Sequence, residues 1–508
     1  MRRLGRIHSH LNKACQQLAH WSVLRLDRLL LVMLLAALPA RAGVKYTNIF
    51  SFNGTNGSDP GGVLSLASDG SLYGTTSEGG TNGGYGTIFR MMLDGTVTSL
   101  ISFSGTNGAY LGTSPSSLIQ GLDGNFYGTT FSGGTNGGAG GFGTVFQMSS
   151  NGILSTIISF SGTNGPYLGA NPSSLIQGAD GSFYGAAHSG GSTNIYDNYG
   201  NGYGNGYGTL FQMTSNGVFH TLLLFTGTTG PHLGRQPSGG LLQGADGILY
   251  GTTEAGGTNG DNGTVFGITT NGAPVWSFSF ANTNGADPQA GLMQGSNGYL
   301  YGTTSTFSRT STGSAVGSML FRISTNGILN TLNEFYGPNG FNPVASLAQG
   351  NDGNFYGTTL QGGAGFNGSL GSGNGTVFLV TPSGALTSLY SFSGGANGWF
   401  PFAGLLQATD GNFYGMASSG GEFANGTIFR LSIPMQPVVQ SANQADGSLT
   451  LTWISVVGQT YQLQYNSELT SSNWINFGGA VSATNGKMSM SDSPGTVMQR
   501  FYRVMLLP

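Results

Sequence analysis

One segment recurs seven times along the chain. Asp69-Gly-Ser-Leu-Tyr73-Gly-Thr-Thr returns with its tyrosine at Tyr127, Tyr184, Tyr250, Tyr301, Tyr356 and Tyr414, about 55 residues apart, a period that marks stacked supersecondary units. After each copy comes a glycine-rich stretch, then Gly-Thr-Ile/Val/Leu-Phe ending at Phe89, Phe146, Phe211, Phe266, Phe378 and Phe429, with Met319-Leu-Phe321 in the fifth unit. An Asp-Gly or Asn-Gly pair and an alternating run such as Thr98-Ser-Leu-Ile-Ser-Phe103 complete the unit. No stretch carries helical periodicity, so each unit reads as four short strands.

Turn chemistry fixes the order of those strands. The pairs Asp69-Gly70, Asp94-Gly95, Asp123-Gly124, Asn151-Gly152 and Asn216-Gly217 predict tight hairpins at positive φ between strands one and two and between three and four. Four-stranded units repeated seven times predict a β-propeller over residues 43–433. The seventh unit stops after its third strand, Thr427-Ile-Phe-Arg-Leu-Ser-Ile433, while residues 45–52 look like a fourth strand lacking the three before it. Their union predicts a ring closed by the N-terminal strand, which removes the open edges of the array.

The seven copies of Asp/Asn-Gly-x-Leu/Phe-Tyr-Gly-Thr-Thr, degenerate at Ala186-Ala187 and Met416-Ala417, with Gly-Thr-Ile/Val-Phe downstream, resemble the bacterial GloVer-type tandem repeat. The resemblance covers residues 45 to 433 and implies a secreted or surface-displayed propeller. It brings no catalytic residues with it.

Residues 1–42 read as a signal peptide: a basic n-region from Arg2 to Arg28, the apolar run Leu29 to Ala37, and the cleavage pattern Ala40-Arg41-Ala42. The run is shorter than the roughly 18–20 apolar residues of a membrane span. Cleavage removes Cys15, the only cysteine, which excludes disulfide and thiolate chemistry from the mature chain. It also removes seven of 16 Lys+Arg and one of 19 Asp+Glu, leaving nine against 18. With mature lysines only at Lys45 and Lys487, a nucleic-acid partner is not expected, because such binding rests on phosphate neutralisation.

After a linker at 434–437, residues 438–508 carry Leu449-Thr-Leu-Thr-Trp453, Tyr461-Gln-Leu-Gln-Tyr465 and Arg500-Phe-Tyr-Arg-Val504. These alternating runs predict a small fibronectin-III-like β-sandwich with Trp453 and Trp474 in its core. The whole is an all-β chain: a seven-bladed β-propeller closed by its N-terminal strand, plus a small C-terminal β-sandwich.

Alternating strand direction places the Asp-Gly hairpins on one face of the ring and the longer loops on the other. The repeated Asp69, Asp123, Asp180, Asp246, Asp352 and Asp410 are expected to form turns rather than hold Ca²⁺. On the long-loop face, counting from the preceding glycine, the variable position reads Asp59, Tyr110, Tyr167, His232, Asp287, Asn342 and Phe400. Loop variation on a fixed scaffold is how such rings acquire recognition. Tyr110, Tyr167, His232, Trp399 and Phe400, with Tyr196, Tyr199 and Tyr203 of the insertion running to Tyr207, are the candidate aromatic platforms. Arg235 is the candidate partner for an anion or hydroxyl, and Arg309 of the fifth-unit insertion a lesser one.

Mature histidines are His188, His220 and His232, with no zinc motif. Gly-x-Ser-x-Gly and the P-loop are absent. Glu78 and Glu254 follow the strand motif in units one and four, which is expected to separate them around the ring. No cofactor and no metal are expected. The expectation is a secreted or cell-surface, monomeric, non-catalytic binding protein for extracellular glycan or a protein partner, and rather not an enzyme. The alternatives are a polysaccharide hydrolase or lyase with Asp59, Asp287 or His232 as acid/base groups, and a structural component of the cell envelope.

Overall fold

The computed structural model describes residues 43–507, apart from 139, 192–205, 309–315, 370, 435–436, 438, 446–447, 469–472 and 494–499. The expected leader, and Tyr196, Tyr199, Tyr203 and Arg309, lie outside the described residues. The chain divides into two compact units, one of Val44–Ala408 with Asn412–Ser432, the other containing Ile433–Pro508. No described helix is long and apolar enough to cross a membrane.

The first unit is a ring of seven four-stranded antiparallel sheets. After β1 (Lys45–Ser51), the first blade is β2 (Ser65–Leu66), β3 (Leu72–Thr76), β4 (Thr87–Met91) and β5 (Val97–Ser102), each paired with the next. Five further blades repeat that order. The seventh consists of Leu406–Gln407, Phe413–Ala417 and Thr427–Ser432, and β1 supplies its fourth strand, running from Lys45 opposite Ser432 to Ser51 opposite Thr427. Tyr46 also ties β1 to blade six: its ring stacks on Tyr390 at 4.2 Å, and its hydroxyl donates to Asn397 O in the following loop at 2.6 Å.

The repeat motif records how blades pack. Gly74 sits where a Cβ would lie 2.5 Å from Phe89 Cζ, so the glycine of Tyr-Gly-Thr-Thr makes room for the phenylalanine of Gly-Thr-x-Phe on the neighbouring strand. The tyrosine points between blades. Tyr127 meets Phe183 of the next blade at 4.1 Å, and Tyr356 meets Phe413 at 4.2 Å. The apolar cores lie accordingly at the junctions, one joining Tyr73 and Ile88 to Phe126 and Phe146, another joining Tyr414 and Ile428 of the last blade to Leu72 and Phe89 of the first. The second threonine of the motif is buried and satisfied by its neighbour, as in Thr76 Oγ1 to Thr87 Oγ1 at 2.8 Å.

The hairpins differ from two-residue turns. Gly70 N–H donates to Ala67 O at 2.9 Å while Ala67 N–H donates to Ser71 O at 3.0 Å. Only the glycine is left-handed, at φ +78°, whereas Asp69 is not. That is a type I turn closed by a bulge. It leaves the aspartate side chain directed inward: Asp123 accepts from Asn125 N–H at 3.1 Å and from the Tyr127 hydroxyl at 2.8 Å. Burial alone would raise the Asp123 carboxyl, but its donors Asn125 and Tyr127 outweigh that and hold it below its ordinary value. The same contact pushes the Tyr127 phenol up to about 12, with burial as the larger cause.

A glutamine relay ties consecutive blades together. Gln120 Oε1 accepts from Ser68 N–H of the preceding blade at 2.8 Å while Gln120 Nε2 donates to Gly124 O of its own turn at 3.0 Å. Gln177, Gln243, Gln294, Gln349 and Gln407 accept in the same way from Leu122, Ala179, Ala245, Ser296 and Asn351. The first blade has Leu66 at this place, so the relay breaks at the junction that β1 closes.

The second unit contains two antiparallel sheets, one of Val439–Ala445, Ser448–Ile454 and Lys487–Asp492, the other centred on Thr460–Asn466 paired with Phe501–Leu507. Leu449 and Leu451 of the first sheet pack against Leu463 and Tyr502 of the second. Trp453 is fully buried against Tyr461, while Trp474 is half-buried under the Arg503 guanidinium at 4.4 Å.

Candidate functional site

At the long-loop end of the ring, each blade enters its innermost segment through the same dipeptide: Asp59-Pro60, Ser114-Pro115, Asn171-Pro172, Gln236-Pro237, Asp287-Pro288, Asn342-Pro343 and Phe400-Pro401. All seven residues before proline are left-handed, with φ between +53° and +60°. That conformation is strained for non-glycine residues, at about 1–3 kcal/mol each, and runs against the extended preference of a residue before proline. Bonds from two blades hold it. Asp287 N–H donates to Asn262 O of the preceding blade at 3.0 Å, and its carbonyl accepts from Ser305 N–H of its own blade at 3.0 Å. Ser114 N–H donates likewise to Tyr85 O at 3.0 Å.

This ring corrects the alignment of loop positions drawn from glycine spacing. Gly57 stands three residues before Pro60, whereas in blades two to four an excursion carrying Tyr110, Tyr167 or His232 intervenes before the glycine at that place, Gly112, Gly169 or Gly234. The true counterparts of Asp59 are therefore Ser114, Asn171 and Gln236. The invariable proline is the signal that counts them correctly.

A second ring follows the Tyr-Gly-Thr-Thr strand: Ser77, Phe131, His188, Glu254, Ser305, Leu360 and Ser418. The two rings surround a cavity of about 400 Å³ on the propeller axis, lined by segments of all seven blades, among them Asp59, Ser77, Phe131 and Gln289. Three titratable side chains of these rings come from consecutive blades; none of them lines the cavity, and Asp287 is linked to it through Gln289. His188 Nε2 lies 3.7 Å from Glu254 Oε2. Asp287 Oδ2 accepts from Ser305 Oγ at 2.6 Å and from Gln289 Nε2 at 3.0 Å. Burial raises the Asp287 carboxyl above its ordinary value and the nearby Glu254 adds to the rise, against the lowering effect of the Ser305 and Gln289 donors. Asp59 repeats the arrangement in the first blade, accepting from Ser77 Oγ at 2.7 Å. Among the described residues no three His, Cys, Asp or Glu side chains form a set that would hold a metal ion.

The other candidates are spread around the ring. Tyr110 packs against the core between blades one and two; Tyr167 sits edge-on to Phe219 at 5.5 Å. His232 occupies the equivalent place in blade four, where its Nδ1 is buried without a hydrogen-bond partner and burial lowers its pKa. Arg235 is buried and forms a bidentate pair with Asp261, at 3.1 and 2.7 Å, while donating to Gln236 Oε1. Trp399 pairs through its backbone with Ser419, and Phe400 holds the strained position of blade seven. His188 and Glu254, which the structure brings together, were visible in the sequence only through their shared place after the strand motif.

The sequence matches the Gloeobacter/Verrucomicrobia repeat over residues 39–201, 193–370 and 307–464. The chain belongs to this repeat family. No curated protein matches the sequence. Among solved structures, one assigned as a gluconolactonase is 10% identical over 77% of this chain and 93% of its own, with a TM-score of 0.39. A gluconolactonase from Xanthomonas campestris is 13% identical, covering 63% and 88%, with a TM-score of 0.36. A luciferin-regenerating enzyme is 11% identical, covering 77% and 95%, with a TM-score of 0.37. No activity passes to this chain at such scores. All three are named as enzymes. The expectation that this repeat protein is rather not an enzyme does not stand: it rested on missing motifs, and catalysis on a fold is decided by its site and not by a motif.

Proposed function

We propose that this repeat protein is a polysaccharide hydrolase whose acid/base groups stand in the two rings around the central cavity. The observation that carries the reading is that Glu254 pairs with His188 of the preceding blade and acts electrostatically on Asp287 of the next, whose partner Gln289 lines the cavity. Hydrolysis needs a proton for the departing glycosidic oxygen and a base for the attacking water, and two carboxyls in unlike surroundings can divide those tasks. Asp287, whose raised pKa keeps its proton to higher pH, donates to the leaving oxygen. Glu254 takes the proton of the water whose oxygen bonds to the anomeric carbon, and His188, within ion-pair distance, orients it. On this reading the leader carries the protein out of the cytoplasm. The separate aromatics Tyr110, Tyr167 and Trp399 extend the sugar-contacting face, and the C-terminal unit is a fibronectin-III-like module.

The test is release of reducing ends from a polysaccharide panel by the mature chain. Asp287→Asn and Glu254→Gln should each lower the rate by about 10²–10⁴ with unchanged melting. The wild-type rate should fall as pH rises through the raised Asp287 pKa, and Asp287→Asn should lack that limb. Wild-type rates in both variants would refute the assignment. An unsaturated product would show elimination instead of hydrolysis.

A further inference from the structure

The central cavity has two unlike sides. At the first position after the proline, blades two to five present Ser116, Ser173, Ser238 and Gln289, whereas blades six and seven present Val344 and Phe402, with Val63 of blade one beside them. Each side holds an unmet demand. Phe402 and Val63 are 47% and 45% exposed although they line a concave surface. Across the ring, Ser173 Oγ and Ser174 Oγ are buried without a hydrogen-bond partner, a state that native structures rarely leave unexplained. Gly240 keeps the space before Ser174 clear, since a Cβ there would lie 2.8 Å from Ser174 Oγ.

An occupant that answers both demands has an apolar face on one side and hydroxyls on the other. A pyranose ring has that form: its axial C–H bonds make a flat apolar face suited to an aromatic side chain, and its hydroxyls both donate and accept. The cavity of about 400 Å³ lies near the lower end of the roughly 300–1,000 Å³ of small-ligand sites. A single terminal unit fits within it. We propose that it is a subsite for the terminal pyranose of a glycan chain, with the C–H face on Phe402 and Val63 and the hydroxyls toward Ser173, Ser174 and Gln289. This rests on the hydrolase reading and makes the enzyme exo-acting.

The experiment is saturation-transfer NMR of the mature chain with the methyl α- and β-glycosides of glucose, galactose, mannose and xylose, together with the product profile from any polysaccharide it cleaves. At least one glycoside should bind. Phe402→Ala should weaken it about tenfold, and Ser174→Ala should weaken it less, both with wild-type melting, because Phe402 is exposed and the Ser174 hydroxyl has no hydrogen-bond partner among the described residues. Phe423→Ala, an exposed aromatic outside the cavity, should leave binding unchanged. Monosaccharide should accumulate from the first time point. Binding to no glycoside, binding indifferent to Phe402→Ala, or an initial mixture of oligosaccharides would overturn the subsite. Phe402-dependent binding without cleavage of any polysaccharide would uphold the subsite and refute the hydrolase.

Discussion

The aspartate of each hairpin does two tasks with one carboxylate, turning the chain and anchoring the tyrosine four positions on. Asp123→Ala should therefore cost about 1–2 kcal/mol in denaturant unfolding, with Tyr127→Phe costing less. Its folded pKa is lowered, as is that of Asp180, where the Tyr184 and Ser182 donors outweigh burial. The stabilisation is thus present above the unfolded carboxylate pKa of about 3.9 and lost as pH falls through the lower folded value. Wild type and Asp123→Ala should converge in stability at acid pH; a constant difference across that range would exclude the carboxylate as the cause. The turn was legible from Asp-Gly alone, and the spacing to tyrosine carried the second task. The catalytic candidates were harder to read. Counting from glycine placed Tyr110 opposite Asp59, whereas the seven prolines align Asp59 with Ser114, Asn171, Gln236 and Asp287; that His188 stands beside Glu254 was shown only by the structure.

At the scale of the blade, the motif encodes fit between strands. Gly74→Ala would drive a methyl into the Phe89 ring and should destabilise by about 1–3 kcal/mol, with Phe89→Leu in the same background recovering part of the loss. Equal destabilisation with and without Phe89→Leu would deny the packing account. The three outer strands were legible because alternation and turn residues mark them. The innermost was not, because its length depends on one residue: blades two and three have Pro-Ser-Ser-Leu where blade one has Pro-Gly-Gly-Val-Leu. The shorter spacing extends Thr113–Gln120 and Ala170–Gln177 into eight-residue strands, with a register shift beside the proline. In blade one only Ser65–Leu66 pairs.

For the whole molecule, the division of labour at the last junction matters most. Six junctions carry a glutamine link; at the seventh, between blades seven and one, the apolar cluster of Tyr414 and Ile428 with Leu72 and Phe89 takes its place, while Tyr46 ties β1 to blade six. Deleting residues 44–52 should lower the melting temperature sharply or abolish soluble folding, and Tyr46→Ala should lower it by less; an unchanged melt after the deletion would rule out closure by β1. Ring closure was readable from the two incomplete ends of the repeat, while the missing glutamine at Leu66 acquired meaning only once blades one and seven were seen side by side. The seam also sets a timetable. Tyr46 and its acceptor Asn397 are 351 positions apart, the kind of long-range pairing that forms late and slowly. Synthesis makes β1 first and its partner Thr427–Ser432 after nearly all the blades, so the nascent protein is an open arc that grows by neighbour contacts, and a ribosome that stops short of the seventh blade releases a chain that cannot lock.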